Sequence, residues 1–309
     1  MNTSLKNKLL KNKSILALVI LCILISIITP RFLTLANITN VLNQVAVNAI
    51  IAIGMTFVIL TGGIDLSVGS ILAICGAVSA VTIKSTGSIF LAIVLPIIIG
   101  IFVGLINGVV ISKGKIQAFV ATLAVMTIFR GVTYVYTNGN PISSLPDSYN
   151  SIGNKMIGII PLPVIITIVV LGIAYYFLTK TRFGRYLYAL GGNEDSARLS
   201  GINTNKIKTA AYVVCGAAAG LSGIIATSRI GSASPNAGTG FELDAIASVV
   251  IGGTSLAGGE GSVIGTIIGA LIIGVLNNGL NLMNVSPFYQ QIVKGAVILL
   301  AVLADKKSK

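Results

Sequence analysis

The chain has 309 residues, 54% of them hydrophobic and 9% charged, with mean hydropathy +0.96 and net charge +13. A soluble domain carries about a quarter charged residues, so this composition excludes a soluble enzyme or nucleotide-binding module and fits a single transmembrane domain over 1–309. The 21 Lys and Arg residues sit mostly in short segments between apolar runs, without interleaved aromatics. They read as topology signals and lipid-headgroup contacts, with no nucleic acid as partner.

Lys6, Lys8, Lys11 and Lys13 precede an apolar run from Ile15 to Ile28. That arrangement imitates a signal peptide, but the run ends in Thr29-Pro30-Arg31-Phe32 with no small-x-small site, so an uncleaved first span is expected. A spanning helix needs roughly 20 apolar residues, and hydropathy places about ten: 14–30, 45–61, 67–83, 89–111, 116–137, 159–178, 209–228, 243–257, 263–283 and 289–304. The eighth is short. With the N-terminus inside, fifteen Lys and Arg fall in inside segments and four (Arg31, Lys84, Lys155 and Arg229) outside. That bias predicts an all-α polytopic bundle with both termini cytoplasmic, a cytoplasmic segment 1–13 and a cytoplasmic loop 180–208.

Glycines recur every four residues at Gly100, Gly104 and Gly108, at Gly216 and Gly220, and at Gly261, Gly265 and Gly269. Such faces let helix backbones approach closely, within one chain or between two copies. Thr61-Gly62-Gly63-Ile64-Asp65-Leu66-Ser67 is weakly echoed by Ile251-Gly252-Gly253-Thr254-Ser255-Leu256 and the following Ala257-Gly258-Gly259-Glu260. Each stands where one apolar run stops and the next begins, as at a hinge or gate, and duplicated halves are common in transporters. Asp65 is expected to cap the following helix.

Arg130 and Lys294 are the cations within spans, and Glu242 and Asp244 are available as partners for them or for a helix end. Snorkelling to the outer interface is the alternative. Amides recur on the spans at Asn40, Asn43, Gln44, Asn48, Asn107, Asn277, Asn278 and Asn281. They suit a path for a hydroxyl-rich solute, or hydrogen bonding between helices. No histidine is present, which removes the commonest general base and most metal sites. Cys22, Cys75 and Cys215 lie in apolar runs without disulfide or metal spacing. The sequence holds no Gly-x-x-x-x-Gly-Lys-Ser/Thr, so the chain has no P-loop of its own. The expectation is a transport subunit with no catalytic residue, metal or bound cofactor.

The loop Lys180 to Lys208 is the most distinctive segment. Gly191-Gly192 is expected to break the chain, Asn193 to cap a helix with Glu194 and Asp195 in its first turn, and Ala197, Arg198, Leu199 and Ser200 to continue it to Gly201. The result is a short helix suited to a socket on another protein.

Three segments carry a family resemblance: Leu60-Thr-Gly-Gly-Ile-Asp-Leu-Ser-Val-Gly-Ser70, Phe183-Gly-Arg-Tyr-Leu-Tyr-Ala-Leu-Gly-Gly-Asn-Glu-Asp-Ser-Ala-Arg-Leu-Ser-Gly-Ile202 and Ile251-Gly-Gly-Thr-Ser-Leu-Ala-Gly-Gly-Glu-Gly-Ser262. From about Phe32 to Asp305 the chain resembles the permease subunit of bacterial ABC sugar importers. The branch is the ribose type, which also includes xylose, galactoside and autoinducer-2 systems, and the chain resembles the ribose system; the branched-chain amino acid permeases are more distant relatives, and the sugar-type segments argue against them. The resemblance implies a plasma-membrane homodimer of permeases. It also implies ATPase subunits that carry ATP and Mg on other chains, and an extracytoplasmic sugar-binding protein. Gly192 to Gly201 would then be the coupling helix that sits in a cleft of the ATPase.

Overall fold

The computed structural model describes residues 13–307, so the expected cytoplasmic segment, apart from Lys13, lies outside the described residues. The chain forms helices α1 (Lys13–Ile28), α2 (Leu35–Leu60), α3 (Val68–Thr86), α4 (Ile89–Ser112), α5 (Ala118–Tyr136) and α6 (Asp147–Asn154). A small hairpin follows, β1 (Met156–Ile157) with β2 (Ile160–Pro161). Then come α7 (Leu162–Lys180), α8 (Arg182–Gly192), α9 (Glu194–Leu199), α10 (Thr204–Ile230), α11 (Phe241–Ile251), α12 (Val263–Leu282) and α13 (Pro287–Lys307). Small polar residues start many of them, because a side-chain oxygen satisfies an amide that has no partner inside the helix. Thr34, Ser88, Asn193, Asn203 and Ser262 each accept a first-turn N–H of the helix that follows.

Among the described residues, seven helices (α2, α3, α4, α5, α7, α10 and α12) are long and apolar enough to cross a bilayer. The protein is therefore a polytopic helical membrane protein. The eighth expected window, 243–257, is corrected. Its helix, α11, has 11 residues and stops at Ile251, about 17 Å at 1.5 Å per residue against a hydrocarbon core of about 30 Å. Gly252 to Ser262 is non-helical. The second window is corrected in the other direction, since α2 begins at Leu35 rather than 45 because Thr34 caps it there.

α2 lies at the centre. Every residue from Ala49 to Leu60 is buried, and the largest apolar cluster gathers α2, α3 and α10 around it. α10 packs on α4 through the glycine faces. A Cβ on Gly100 would strike the Gly216 carbonyl, one on Gly104 the Tyr212 carbonyl, and one on Gly108 the Thr209 backbone. Gly265 and Gly269 meet the backbone of α11 in the same way, at Gly252 and Ser248. These glycine rows thus pack helices within one chain. α6 wedges beside α3 and α10, and its fully buried Tyr149 hydroxyl pairs with Ser79 Oγ at 2.6 Å. α7 and α5 stand at the periphery, with Ile168, Val169, Ile128 and Val135 exposed as expected for lipid-facing residues.

Gly104→Leu is expected to destabilise the bundle by on the order of 1–3 kcal/mol, the usual cost of overpacking. Gly172→Leu should change little, because a Cβ there meets open space. Thermal unfolding in detergent checks this, and equal midpoints for the two variants would refute the seam.

Candidate functional site

At one end of the bundle the three signature segments converge on a backbone junction. α2 ends in a Schellman cap: Gly62 N–H donates to Ile59 O at 2.8 Å and Gly63 N–H to Val58 O at 3.2 Å. Gly62 sits at φ +76°, a conformation that side chains resist. The same cap ends α11 at Gly252-Gly253 and α9 at Gly201, where Gly201 N–H reaches Arg198 O and Ile202 N–H reaches Ala197 O. The echo between the two Gly-Gly segments is therefore a shared way of ending a helix.

The Leu60 carbonyl, left over at the end of α2, accepts Gly259 N–H at 3.0 Å. Gly191 closes over that bond. A Cβ there would overlap both Leu60 O and Gly259 N. A Cβ on Gly258 would lie 2.8 Å from Gly62 N and 3.1 Å from Gly191 O, and one on Gly259 would lie 2.8 Å from Gly192 N. Three chain segments thus touch backbone to backbone, which only glycine permits. Tyr188 adds a hydroxyl donation to Gly261 O at 2.9 Å.

Gly191 and Gly192 were expected to break the chain, and this is corrected. They form the last turn of α8, a helix that begins at Arg182 behind the Thr181 cap. Its face of Leu187, Leu190 and Gly184 is buried, and this supports the helix through its glycine end. α9 then follows as expected. Asn193 Oδ1 accepts Ser196 N–H at 2.8 Å, Ala197 is buried, and Arg198, Leu199 and Ser200 are exposed. Leu199 is 89% exposed, an apolar side chain held out at the tip.

α9 is tied to α10 through Glu194, whose carboxylate accepts from Lys208 Nζ at 2.5 Å and from Arg198 at 3.1 Å. Partial burial pushes the Glu194 carboxyl up. The Lys208 hydrogen bond and the charges of Lys208 and Arg198 outweigh that and hold it below its usual range. Asp195 lies 4.0 Å from Arg198 and is otherwise solvated. A cavity of about 740 Å³ separates α9 from the end of α2, bounded by Gly62, Gly63, Glu194, Arg198, Lys208 and Tyr212 among others.

Asp65 is fully buried just beyond the cap that ends α2. It does not cap α3. Its Oδ1 accepts Ser67 N–H at 2.9 Å and Ser67 Oγ–H at 2.6 Å, so the bond closes a turn before the helix rather than its first turn. Asn107 of α4 donates to Ser67 Oγ at 2.8 Å, and the Ile64 carbonyl accepts from Thr122 and Tyr212. Among the described residues no cation forms an ion pair with Asp65.

The other polar residues disperse. Asn107 serves the Asp65 turn, away from the remaining amides. Asn278 exchanges hydrogen bonds with Asn37 at 2.9 and 3.0 Å. Asn43 donates to Gly153 O at 3.3 Å, Gln44 to Asn40 at 3.1 Å, and Asn281 accepts from Gln290 at 2.8 Å. The Oδ1 atoms of Asn43, Asn48 and Asn277, on the neighbouring helices α2 and α12, are buried without a protein partner. Lys294 pairs with Asp244 at 2.9 Å, while Arg130 donates to the Pro235 and Ala237 carbonyls at 2.7 and 2.8 Å and Glu242 accepts Gly240 N–H. Neither cation needs to snorkel. Sequence reasoning missed Tyr188, Lys208 and Tyr212. Tyr188 carries no recognisable spacing to Gly261, and Lys208 meets Glu194 only because α9 folds back on α10.

Residues 37–302 match the family described as the branched-chain amino acid transport system / permease component. The chain is 53% identical over 306 residues to the ribose import permease protein RbsC of Escherichia coli strain K12, across 97% of this chain and 95% of that one. It is 55% identical over 297 residues to RbsC of Bacillus subtilis strain 168, across 94% and 91%. Against the xylose transport system permease protein XylH of E. coli K12 it is 36% identical over 341 residues, across 90% and 86%. No solved structure matches the chain. The chain belongs to this family of transport permeases, on its ribose-type branch.

A carboxyl buried without a cation is least costly uncharged. Asp65→Asn, which keeps the shape and one acceptor, is therefore expected to fold and to unfold near the wild-type temperature. Asp65→Ala leaves the Ser67 donors unpaired and is expected to lose about 1–3 kcal/mol. Thermal unfolding in detergent checks both, and equal losses would contradict the turn.

Proposed function

We propose that this chain is the membrane-spanning subunit of an ATP-driven importer that carries ribose inward by alternating access. The observation that carries the proposal is the likeness to ribose import permeases over nearly the whole chain, together with a capped helix held out where a partner can grip it. On this reading both termini are cytoplasmic, about ten segments cross or enter the plasma membrane of a bacterium, and two copies form the pathway. An ATPase on another chain binds ATP and Mg and receives α9. An extracytoplasmic binding protein delivers the sugar.

The junction suggests how force travels. ATPase closure displaces α9 and α8, and α8 bears directly on the end of α2 and on the turn 252–262. α2 and α12 share a seam, where Thr56 and Thr266 hydroxyls meet at 2.8 Å. A shift of α2 against α12 would alter the access of Asn43, Asn48, Asn277 and Asn278, whose neutral donors and acceptors suit a hydroxyl-rich solute. Gly62, Gly63, Gly252 and Gly253 are the hinges in this account. The chain itself performs no chemistry.

Uptake of ribose into vesicles is expected to require ATP, the ATPase and the binding protein, and to survive collapse of the proton gradient. Loss of uptake on uncoupling at constant ATP would exclude the proposal. Arg198→Glu is expected to insert normally and to abolish co-purification of the ATPase, and normal co-purification would remove α9 from the interface.

A further inference from the structure

A second cavity, of about 980 Å³, runs between α4 and α7 over a floor of α10 and α2. Its length is lined by apolar groups, among them Leu105, Val170, Ile173, Phe177 and Ala217. The cations and amides of the lining gather at one end: Lys113, which follows the last residue of α4, with Asn203, Asn205 and Lys206 at the start of α10. Both lysines are exposed, and among the described residues neither forms an ion pair. The carboxylates nearest Lys206 in sequence, Glu194 and Asp195, face Lys208 and Arg198 instead. The floor from Thr209 to Leu221 spans about 18 Å at 1.5 Å per residue, close to one leaflet of a hydrocarbon core about 30 Å thick.

We infer that this groove binds an anionic phospholipid, its phosphate between Lys113 and Lys206 and an acyl chain along α10 toward Leu221. Three features select that occupant. The walls offer an acyl chain van der Waals contact on several sides, which open bilayer cannot fix in place. Two cations without an ion pair among the described residues stand together at one end of the groove, and a basic pocket between helices at the headgroup level is a lipid-headgroup site. The single-leaflet length suits one acyl chain and falls short of the roughly 20 residues of a spanning helix. The inference goes beyond the transport reading and stands whatever solute the chain carries, since it concerns only residues at the membrane boundary.

Native mass spectrometry of the full chain, released from nanodiscs of equal phosphatidylglycerol and phosphatidylcholine, tests it. Two lysines near an anionic headgroup predict roughly thirtyfold preferential retention of phosphatidylglycerol by the wild type. The surface variant Lys113→Ala/Lys206→Ala is expected to lose most of that preference, and Lys155→Ala, a lysine outside the groove, to keep it. Ala217→Phe, which fills the groove and leaves both lysines, is expected to retain less of either lipid. Equal retention of the two lipids by the wild type, or an unchanged preference in the double variant, would overturn the inference. So would copy-to-copy crosslinking through Ile173→Cys, which would seat a second chain in the groove.

Discussion

The hydrogen bond from Gly259 N–H to the Leu60 carbonyl, closed over by Gly191, is the contact on which the working end of the molecule depends. A carbonyl at the end of a buried helix must be satisfied by protein where water is scarce. Here the donor comes from a turn some two hundred residues away in sequence, and the cover from α8. Any side chain at Gly191, Gly258 or Gly259 would separate the three segments. The junction thus fixes where α8 ends, and so where α9 is presented. The same contact places the non-helical 252–262 segment against the helix that occupies the centre of the bundle.

Charge is used sparingly and locally. The Glu194–Lys208–Arg198 cluster pins the exposed α9 to α10, the Asp244–Lys294 pair links α11 to α13, and Arg130 anchors the loop between α10 and α11 through carbonyls. Asp65 is spent on a turn with Ser67 and Asn107. The polar groups left along α2 and α12 are uncharged amides and hydroxyls. On the proposed reading, that distribution suits a neutral, hydroxyl-bearing solute better than an ion. The Glu194–Lys208–Arg198 cluster stands at helix ends, where a partner protein or lipid headgroups can meet it.

Much of this was legible in the sequence because lipid imposes strong local rules. Long apolar runs located the spanning helices, and Asn193 with Gly201 marked both ends of α9. Glycine rows on α4, α10 and α12 announced close packing. What escaped notice depends on tertiary contact. α8 was hidden because Gly191 and Gly192 look like a break, yet they lie in a helix in which Gly191 fits against another backbone. α2 extends upstream of its apolar run because Thr34 caps it, and its polar first turns carry Asn37 to meet Asn278. α6 and the β1–β2 hairpin have too little hydrophobic periodicity to be seen. Asn107 looked like the other membrane amides, and only the fold shows that it serves the Asp65 turn.

If the glycine junction transmits motion from α9 to α2, neighbouring glycines separate that role from mere helix docking. Gly191→Ala intrudes on Leu60 and Gly259, whereas Gly192→Ala points into open space. The direct measurement is ribose taken up per ATP hydrolysed by the permease reconstituted with its ATPase and binding protein. Gly191→Ala is expected to recruit the ATPase still but to lose most coupled uptake, while Gly192→Ala behaves as wild type. Wild-type coupling in Gly191→Ala would contradict it.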